Sequence, residues 1–192
     1  MESKATQHTN ADLSSYRSDF GLKNKIARLI WGVCYVFLFR PFGSRFFKKY
    51  RVFILRCFGA NLNASAHVYS SVKIWAPWNL RMGAQSTLGP KVDCYNQGKI
   101  IIGANTVISQ KTYLCASTHD FTMPNFPLIC KPINIGDSVW VAADAFIGPG
   151  VVIGNGSVIG ARAAVFKDVE TWSVVGGNPA QFIKKRVIKT YE

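Results

Sequence analysis

Between Ile133 and Val169 aliphatic residues recur at every sixth position: Ile135, Val141, Ile147, Ile153, Ile159 and Val165. Four residues beyond each stands a small or β-branched one, namely Val139, Ala145, Val151, Ser157, Ala163 and Val169, and Gly136, Gly148, Gly154 and Gly160 directly follow four of the six. A period of six fits neither the 3.6-residue helix nor the two-residue strand. It predicts the hexapeptide coil of a parallel β-helix, with one short strand and one corner per unit. Single units of this kind cannot bury their apolar face, so the core must come from coil stacked on coil.

Upstream the same beat is audible at Leu62, Val68, Ile74 and Leu80, with Ala66, Val72, Trp78 and Ala84 four residues further on. The spacing then slips by two to Leu88, continues to Cys94, slips by two again to Ile102, and runs on through Ile108 and Leu114 with Thr106, Thr112 and Thr118. About fifteen hexads make roughly five triangular coils and a stack of about 24 Å. Leu114 and Ile135 stand twenty-one positions apart, which is not a multiple of six. The segment ASTHDFTMPNFPLICKPIN must therefore leave the coil as an excursion loop, assigned to 117–134 within a β-helix of 61–175. Pro124, Pro127 and Pro132 with Phe121 and Phe126 predict that it is ordered, and long ordered loops on a repeat scaffold favour function.

The ends read differently. Residues 1–19 are polar and aperiodic, which predicts a flexible tail. Residues 20–60 hold two apolar, basic, aromatic stretches hinged at Arg40-Pro41-Phe42-Gly43, which predicts a helical hairpin. Residues 176–192 supply Gly176-Gly177, a turn at Asn178-Pro179 and an expected short basic helix from about Ala180 to Val187, capping the open end of the coil.

Charge changes the picture of the first half. The formal net charge is +13 over 192 residues, and no Asp or Glu occurs between Asp19 and Asp93. That half seeks phosphates or anionic lipid. The apolar run Leu29 to Phe39 is eleven residues, against about twenty needed to cross a bilayer. Two readings of the hairpin stay open: it lies in the interface of an anionic membrane, or it caps the first coil and packs on a partner subunit. Nucleic acid is not expected as a partner, because no recognised binding motif is present. Five cysteines without CxxC spacing and a polar start without a signal-peptide run predict a reduced, cytoplasmic protein, peripheral at most on the inner face of the cytoplasmic membrane.

Of the three histidines, His8 lies in the tail and His67 in an early coil, while His119 lies in the excursion loop. A neutral imidazole there can take a proton from a hydroxyl near neutral pH, which makes His119 the candidate general base; a purely structural hydrogen bond is the other reading. Cys115, four residues earlier, raises a Cys-His nucleophile as an alternative.

The hexads, the THD loop followed by PLICKPINIGDSVWVAADAFIGPGVVIGNGSVIGARAAVFKDV, and the GGNPAQFIKKR tail together resemble the hexapeptide-repeat O-acetyltransferases, the class of maltose and galactoside acetyltransferases. WAPWNL at Trp75 to Leu80, STHDFT, and the basic aromatic N-terminal stretch are similar to the colanic acid and exopolysaccharide biosynthesis subgroup. The resemblance implies an all-β fold, a left-handed parallel β-helix, acting as a homotrimer with acetyl-CoA in a groove between subunits. It implies direct acetyl transfer to a hydroxyl of a sugar or glycan, free, nucleotide-linked or lipid-linked, with His119 as base. Carried over residue by residue, it assigns coenzyme contacts to Ala143, Ala161, Phe166, Lys167, Gln181 and Lys184. Phe166 and Gln181 stand where relatives commonly have Thr and Arg, so one hydroxyl and one phosphate contact are either missing or replaced, with Lys185 or Arg186 as the candidate replacements. Asp93 and Asn96, in the bulged coil before the loop, are the candidates for orienting a sugar hydroxyl; a corner Asp and Asn that only make turns are the other reading.

No metal is expected: a metal-dependent hydratase on this scaffold would need about three converging imidazoles, and only His67 in a coil and His119 in the excursion are available, far apart in sequence. A non-catalytic, membrane-docking scaffold is the reading from a different class.

Overall fold

The computed structural model describes residues 10–17 and 20–189. The hexads build a triangular prism whose three walls are parallel sheets. The first wall stacks Asn61–Leu62, Leu80–Met82, Ile100–Ile102, Ile133–Ile135 and Val152–Ile153. The second stacks His67–Val68, Thr87–Leu88, Val107–Ile108, Trp140–Val141, Val158–Ile159 and Ser173–Gly176. The third stacks Lys73–Ile74, Asp93–Tyr95, Tyr113–Cys115, Phe146–Ile147 and Ala164–Val165. Five coils are complete, and a partial sixth is begun by the bridge of Val169 to Ile153 and ended by Ser173–Gly176.

At least one residue of each wall strand points inward, so aliphatic side chains stack in three columns: Leu62, Met82, Ile102, Ile135 and Ile153 in the first, for example, none more than 3% exposed. The small residues four positions on fill the inner corners, where buried hydroxyls satisfy the next coil. Thr106 Oγ1 donates to the Gly136 carbonyl at 2.7 Å and Ser157 Oγ to that of Glu170 at 2.7 Å. Glycine follows the first wall at Gly83, Gly103, Gly136 and Gly154 because the next coil's backbone passes there. A Cβ on Gly154, for instance, would lie 2.6 Å from the Thr171 nitrogen.

The first slip in the repeat falls one hexad earlier than expected. Met82, not Leu80, aligns with Leu62 and Ile102, so the two extra residues sit between Ile74 and Met82, where Pro77–Asn79 forms a 3-10 turn. Leu80 and Met82 share a strand face and both are buried, so the hydrophobic pattern alone fits either register. The correction has a consequence for function. Both two-residue insertions and the excursion now leave the prism at one corner, between the third wall and the first.

Two helices close the N-terminal end. α1 (Leu22–Cys34) runs into a π-helical turn at Tyr35–Phe39, and α2 (Lys48–Cys57) follows. Trp31 Nε1 donates to the Ile74 carbonyl at 2.8 Å. Arg51, 1% exposed, donates through Nε to the Val68 carbonyl at 2.8 Å and through Nη1 to the carbonyls of Phe42 and Ser44. Arg56 Nε serves Leu62 at 2.9 Å. Cations thus satisfy carbonyls at the end of the solenoid, as a capping element must.

Two terminal expectations are corrected. The segment after Asn178-Pro179 is a strand, Gln181–Lys185, antiparallel to Ser173–Gly176, and not a helix. The last strand of the second wall presents an open edge, and pairing it outweighs helix propensity in a short stretch. Residues 10–17 do not float as a tail: Asp12 caps a 3-10 turn at Leu13–Ser15, and its backbone nitrogen donates to Pro124 of the excursion at 2.9 Å. Residues 1–9, 18 and 19 of the expected tail, with His8, and residues 190–192 lie outside the described residues.

Candidate active site

The excursion is a β-hairpin. Ser117–His119 pairs antiparallel with Leu128–Cys130, with His119 opposite Leu128. Its tip is built by two turns: Asp120 Oδ1 accepts from Thr122 N and Oγ1, and Phe126 N donates to the Met123 carbonyl at 3.1 Å. Phe126 is held at φ +44°, a left-handed conformation that a bulky residue adopts only under constraint. The constraint aims its carbonyl at the histidine: His119 Nδ1 lies 2.6 Å from the Phe126 oxygen. A carbonyl only accepts, so Nδ1 carries the proton and the exposed ring of the neutral imidazole keeps its lone pair on Nε2. That is the tautomer a base needs.

Around this corner the outer face of the third wall carries a ladder of rings. Trp75 and Tyr95 have centroids 6.5 Å apart, Tyr95 and Tyr113 6.1 Å, Tyr113 and Phe146 5.6 Å, and Phe146 and Phe166 5.5 Å. Burial pushes the phenols of Tyr95 and Tyr113 up, so both remain protonated donors. Tyr16, from the N-terminal segment, brings its ring to 6.3 Å from that of His119. Gln97 donates to Tyr95 Oη at 2.9 Å and leaves its own Oε1 buried without a partner among the described residues. None of Tyr16, Tyr95, Gln97 or Tyr113 was reached from the sequence. For Tyr95 and Tyr113 the available signal was the residue on either side of each third-wall position, which points outward.

The predicted sugar residues fare unequally. Asn96 is wholly buried: its Oδ1 accepts from Trp75 N and Ala76 N, and its Nδ2 donates to the Ala76 carbonyl. It shapes the bulge and has no atom left for a ligand, which corrects its assignment as a sugar contact. Asp93 is half-exposed on the outer wall, 3.8 Å from Lys73 Nζ. Cys115 Sγ donates to the Ser117 carbonyl at 3.2 Å, not to His119.

The predicted coenzyme residues fall into two sets. Phe166, Lys167 and Gln181 line one cavity of about 540 Å³ between the fifth coil's corner and the C-terminal strand pair, and Lys184 is on that same strand. This corner is the one from which the His119 hairpin emerges, two coils away, or about 10 Å along the stack. Ala143 and Ala161 stack in successive coils at the other edge of the third wall, where Arg162 N donates to the Ala143 carbonyl at 2.9 Å. One protomer therefore does not bring the six together. Lys185 is engaged by Glu170 at 3.0 Å, and Arg186 Nη1 serves the carbonyls of Ser138 and Gly156. Both already have partners, whereas Lys167 and Lys184 have no ion-pair partner among the described residues. No group of three or more His, Cys, Asp or Glu that could hold a metal occurs among the described residues.

Residues 132–167 match the family model for bacterial transferase hexapeptide (six repeats). The putative colanic acid biosynthesis acetyltransferase WcaF of Escherichia coli (strain K12) is 40% identical over 178 residues, covering 92% of this chain and 97% of that protein. The chain belongs to the hexapeptide-repeat acetyltransferases. The crystal structure of a maltose O-acetyltransferase from Clostridium difficile 630 superposes with a TM-score of 0.76 at 25% identity, over 88% of this chain and 90% of that one. A hexapeptide-repeat acetyltransferase from Vibrio cholerae O1 biovar eltor, complexed with acetyl coenzyme A, superposes with a TM-score of 0.77 at 23% identity, over 89% and 93%. Membership makes the prism a left-handed parallel β-helix.

Proposed function

We propose that this protein transfers the acetyl group of acetyl-CoA to a hydroxyl of a sugar in exopolysaccharide or other surface-glycan biosynthesis. The observation that carries the reading is the His119 imidazole, exposed at a structured hairpin with Nδ1 tied to the Phe126 carbonyl. His119 Nε2 removes the proton of the acceptor hydroxyl as its oxygen attacks the thioester carbonyl, and backbone amides stabilise the tetrahedral oxyanion. Collapse breaks the C–S bond, and the departing thiolate takes the proton from the imidazolium. No acyl-enzyme forms.

The acting unit is a homotrimer. Its support is the separation of the coenzyme residues: the edge bearing His119, Phe166, Lys167, Gln181 and Lys184 meets the Ala143 and Ala161 corner of a neighbour, and acetyl-CoA lies between them. Alanines there leave room for the pantetheine arm, while Lys167 and Lys184 face its phosphates. The acceptor sugar stacks on the exposed edges of the ladder near His119, with Asp93 within the same wall as its polar contact. A relative named for colanic acid biosynthesis supports a surface-glycan acceptor.

His119→Ala is the test. The variant keeps its oligomeric mass and its affinity for acetyl-CoA and loses transfer by at least about a hundredfold, the ordinary scale for a general base. Near-normal turnover would remove His119 from the mechanism.

A further inference from the structure

α1 presents its apolar residues on both sides. Trp31 and Cys34, with Phe39 in the turn that follows, are buried against the solenoid, yet the opposite side carries Leu22, Ile26, Leu29, Ile30 and Val33, continued by Phe37 in that turn, each between 49% and 72% exposed. These positions repeat at three and four residues and form one stripe about 22 Å long. Single exposed aliphatics need no explanation, whereas a continuous stripe of this length marks a contact surface. Phe46 and Phe53 on the second half of the hairpin are 95% and 62% exposed as well.

The charges around the stripe identify what covers it. Lys23 and Lys25 stand at its start and Arg40 at its end, and Arg45 and Lys49 follow; all five are exposed and none has an ion-pair partner among the described residues. Residues 20–92 contain no Asp or Glu at all. A second copy of the chain would bring the same cations to the same place, and like charges would oppose the pairing. Nucleic acid would answer the cations and leave the stripe bare. With thirteen residues α1 is an interfacial element, and no helix among the described residues is long and apolar enough to cross a membrane.

We propose that this face of α1 docks the protein on an anionic bilayer, the stripe entering the acyl boundary while the flanking cations meet lipid phosphates. The proposal does not depend on acetyl transfer, since it concerns a surface outside the His119 corner and its test requires neither acetyl-CoA nor an acceptor.

The experiment is co-sedimentation of the full chain with phosphatidylcholine vesicles, with and without phosphatidylglycerol. The wild type pellets with phosphatidylglycerol-containing vesicles, does so less as salt rises, and stays in solution with phosphatidylcholine alone. Ile26→Gln/Leu29→Gln/Val33→Gln lowers binding at least about tenfold by removing buried apolar area. Its gel-filtration volume and circular dichroism match the wild type, and Leu29→Gln alone gives an intermediate loss. Failure of the wild type to bind anionic vesicles, equal binding by the triple variant, or a smaller assembly in that variant would overturn the proposal; the last would assign the stripe to contact between copies.

Discussion

Gly103→Ala tests how tightly the coils are stacked. A Cβ at this position would lie 2.3 Å from Asp137 Oδ1, 2.5 Å from the Gly136 carbonyl carbon and 2.6 Å from its oxygen, against about 3.5 Å for an ordinary non-bonded contact. Two of the three atoms are backbone of the next coil, so relief requires the coils to part by about 1 Å at this corner. That opening stretches the Gly103 N to Ile135 O bond, now 2.8 Å, and the Ala104 N to Asp137 Oδ1 bond, now 2.7 Å. Two weakened hydrogen bonds at about 1 kcal/mol each, with about 1–3 kcal/mol of overpacking, give a loss of about 3–5 kcal/mol. The assay is urea unfolding at one fixed protomer concentration, where the midpoint should fall with the slope unchanged. Gly32→Ala is the control, because beyond the helix's own backbone and its chain neighbours no atom of the described residues would lie within 4 Å of the added Cβ, and alanine in an exposed helix gains up to about 1 kcal/mol. A Gly103→Ala midpoint at or above that of the wild type would refute the stacking argument.

Three further outcomes follow from single residues. Burial, with the neighbouring Lys48, Arg51 and Arg45, holds the His67 imidazole below its ordinary value. The unfolded chain then binds a proton that the folded chain refuses. Stability is therefore full above about pH 6.5 and falls as pH drops from there toward the folded pKa, and His67→Gln should flatten this slope in urea midpoints; equal slopes would contradict it. Lys184→Gln should raise the KM for acetyl-CoA about fivefold at low salt with kcat unchanged, since a surface cation on a phosphate is worth about 1 kcal/mol; an unaltered KM would remove Lys184 from the phosphate site. Cys115→Ser should keep turnover within an order of magnitude, because direct transfer uses no thiol; abolished transfer in a folded variant would point to a nucleophile.

What the sequence made legible followed from geometry that repeats. Inward columns such as Ile135, Ile153 and their partners keep a fixed beat because each wall needs at least one buried side chain per strand, and the break after Leu114 located the histidine's hairpin. The beat was silent where two apolar residues share a strand face, as Leu80 and Met82 do, and so the first insertion was placed on the wrong corner. It was silent too on the C-terminal strand, whose form is dictated by the open edge of Ser173–Gly176, not by its own residues. For Asn96 the sequence left a sugar contact and a turn-making role both open; the bulge folds over it and engages both polar atoms of its side chain. Tyr16 could not be placed at all, since only a long-range bond from Asp12 to Pro124 brings its segment to His119.

Direct acetyl transfer is the central claim, and labelled acetyl-CoA tests it most plainly, offered with a panel of free, nucleotide-linked and lipid-linked glycans. The account predicts one CoA thiol released for each acetyl ester found on a glycan, and no label on protein quenched during turnover. Label retained on the chain, or CoA released without a glycan ester, would contradict it.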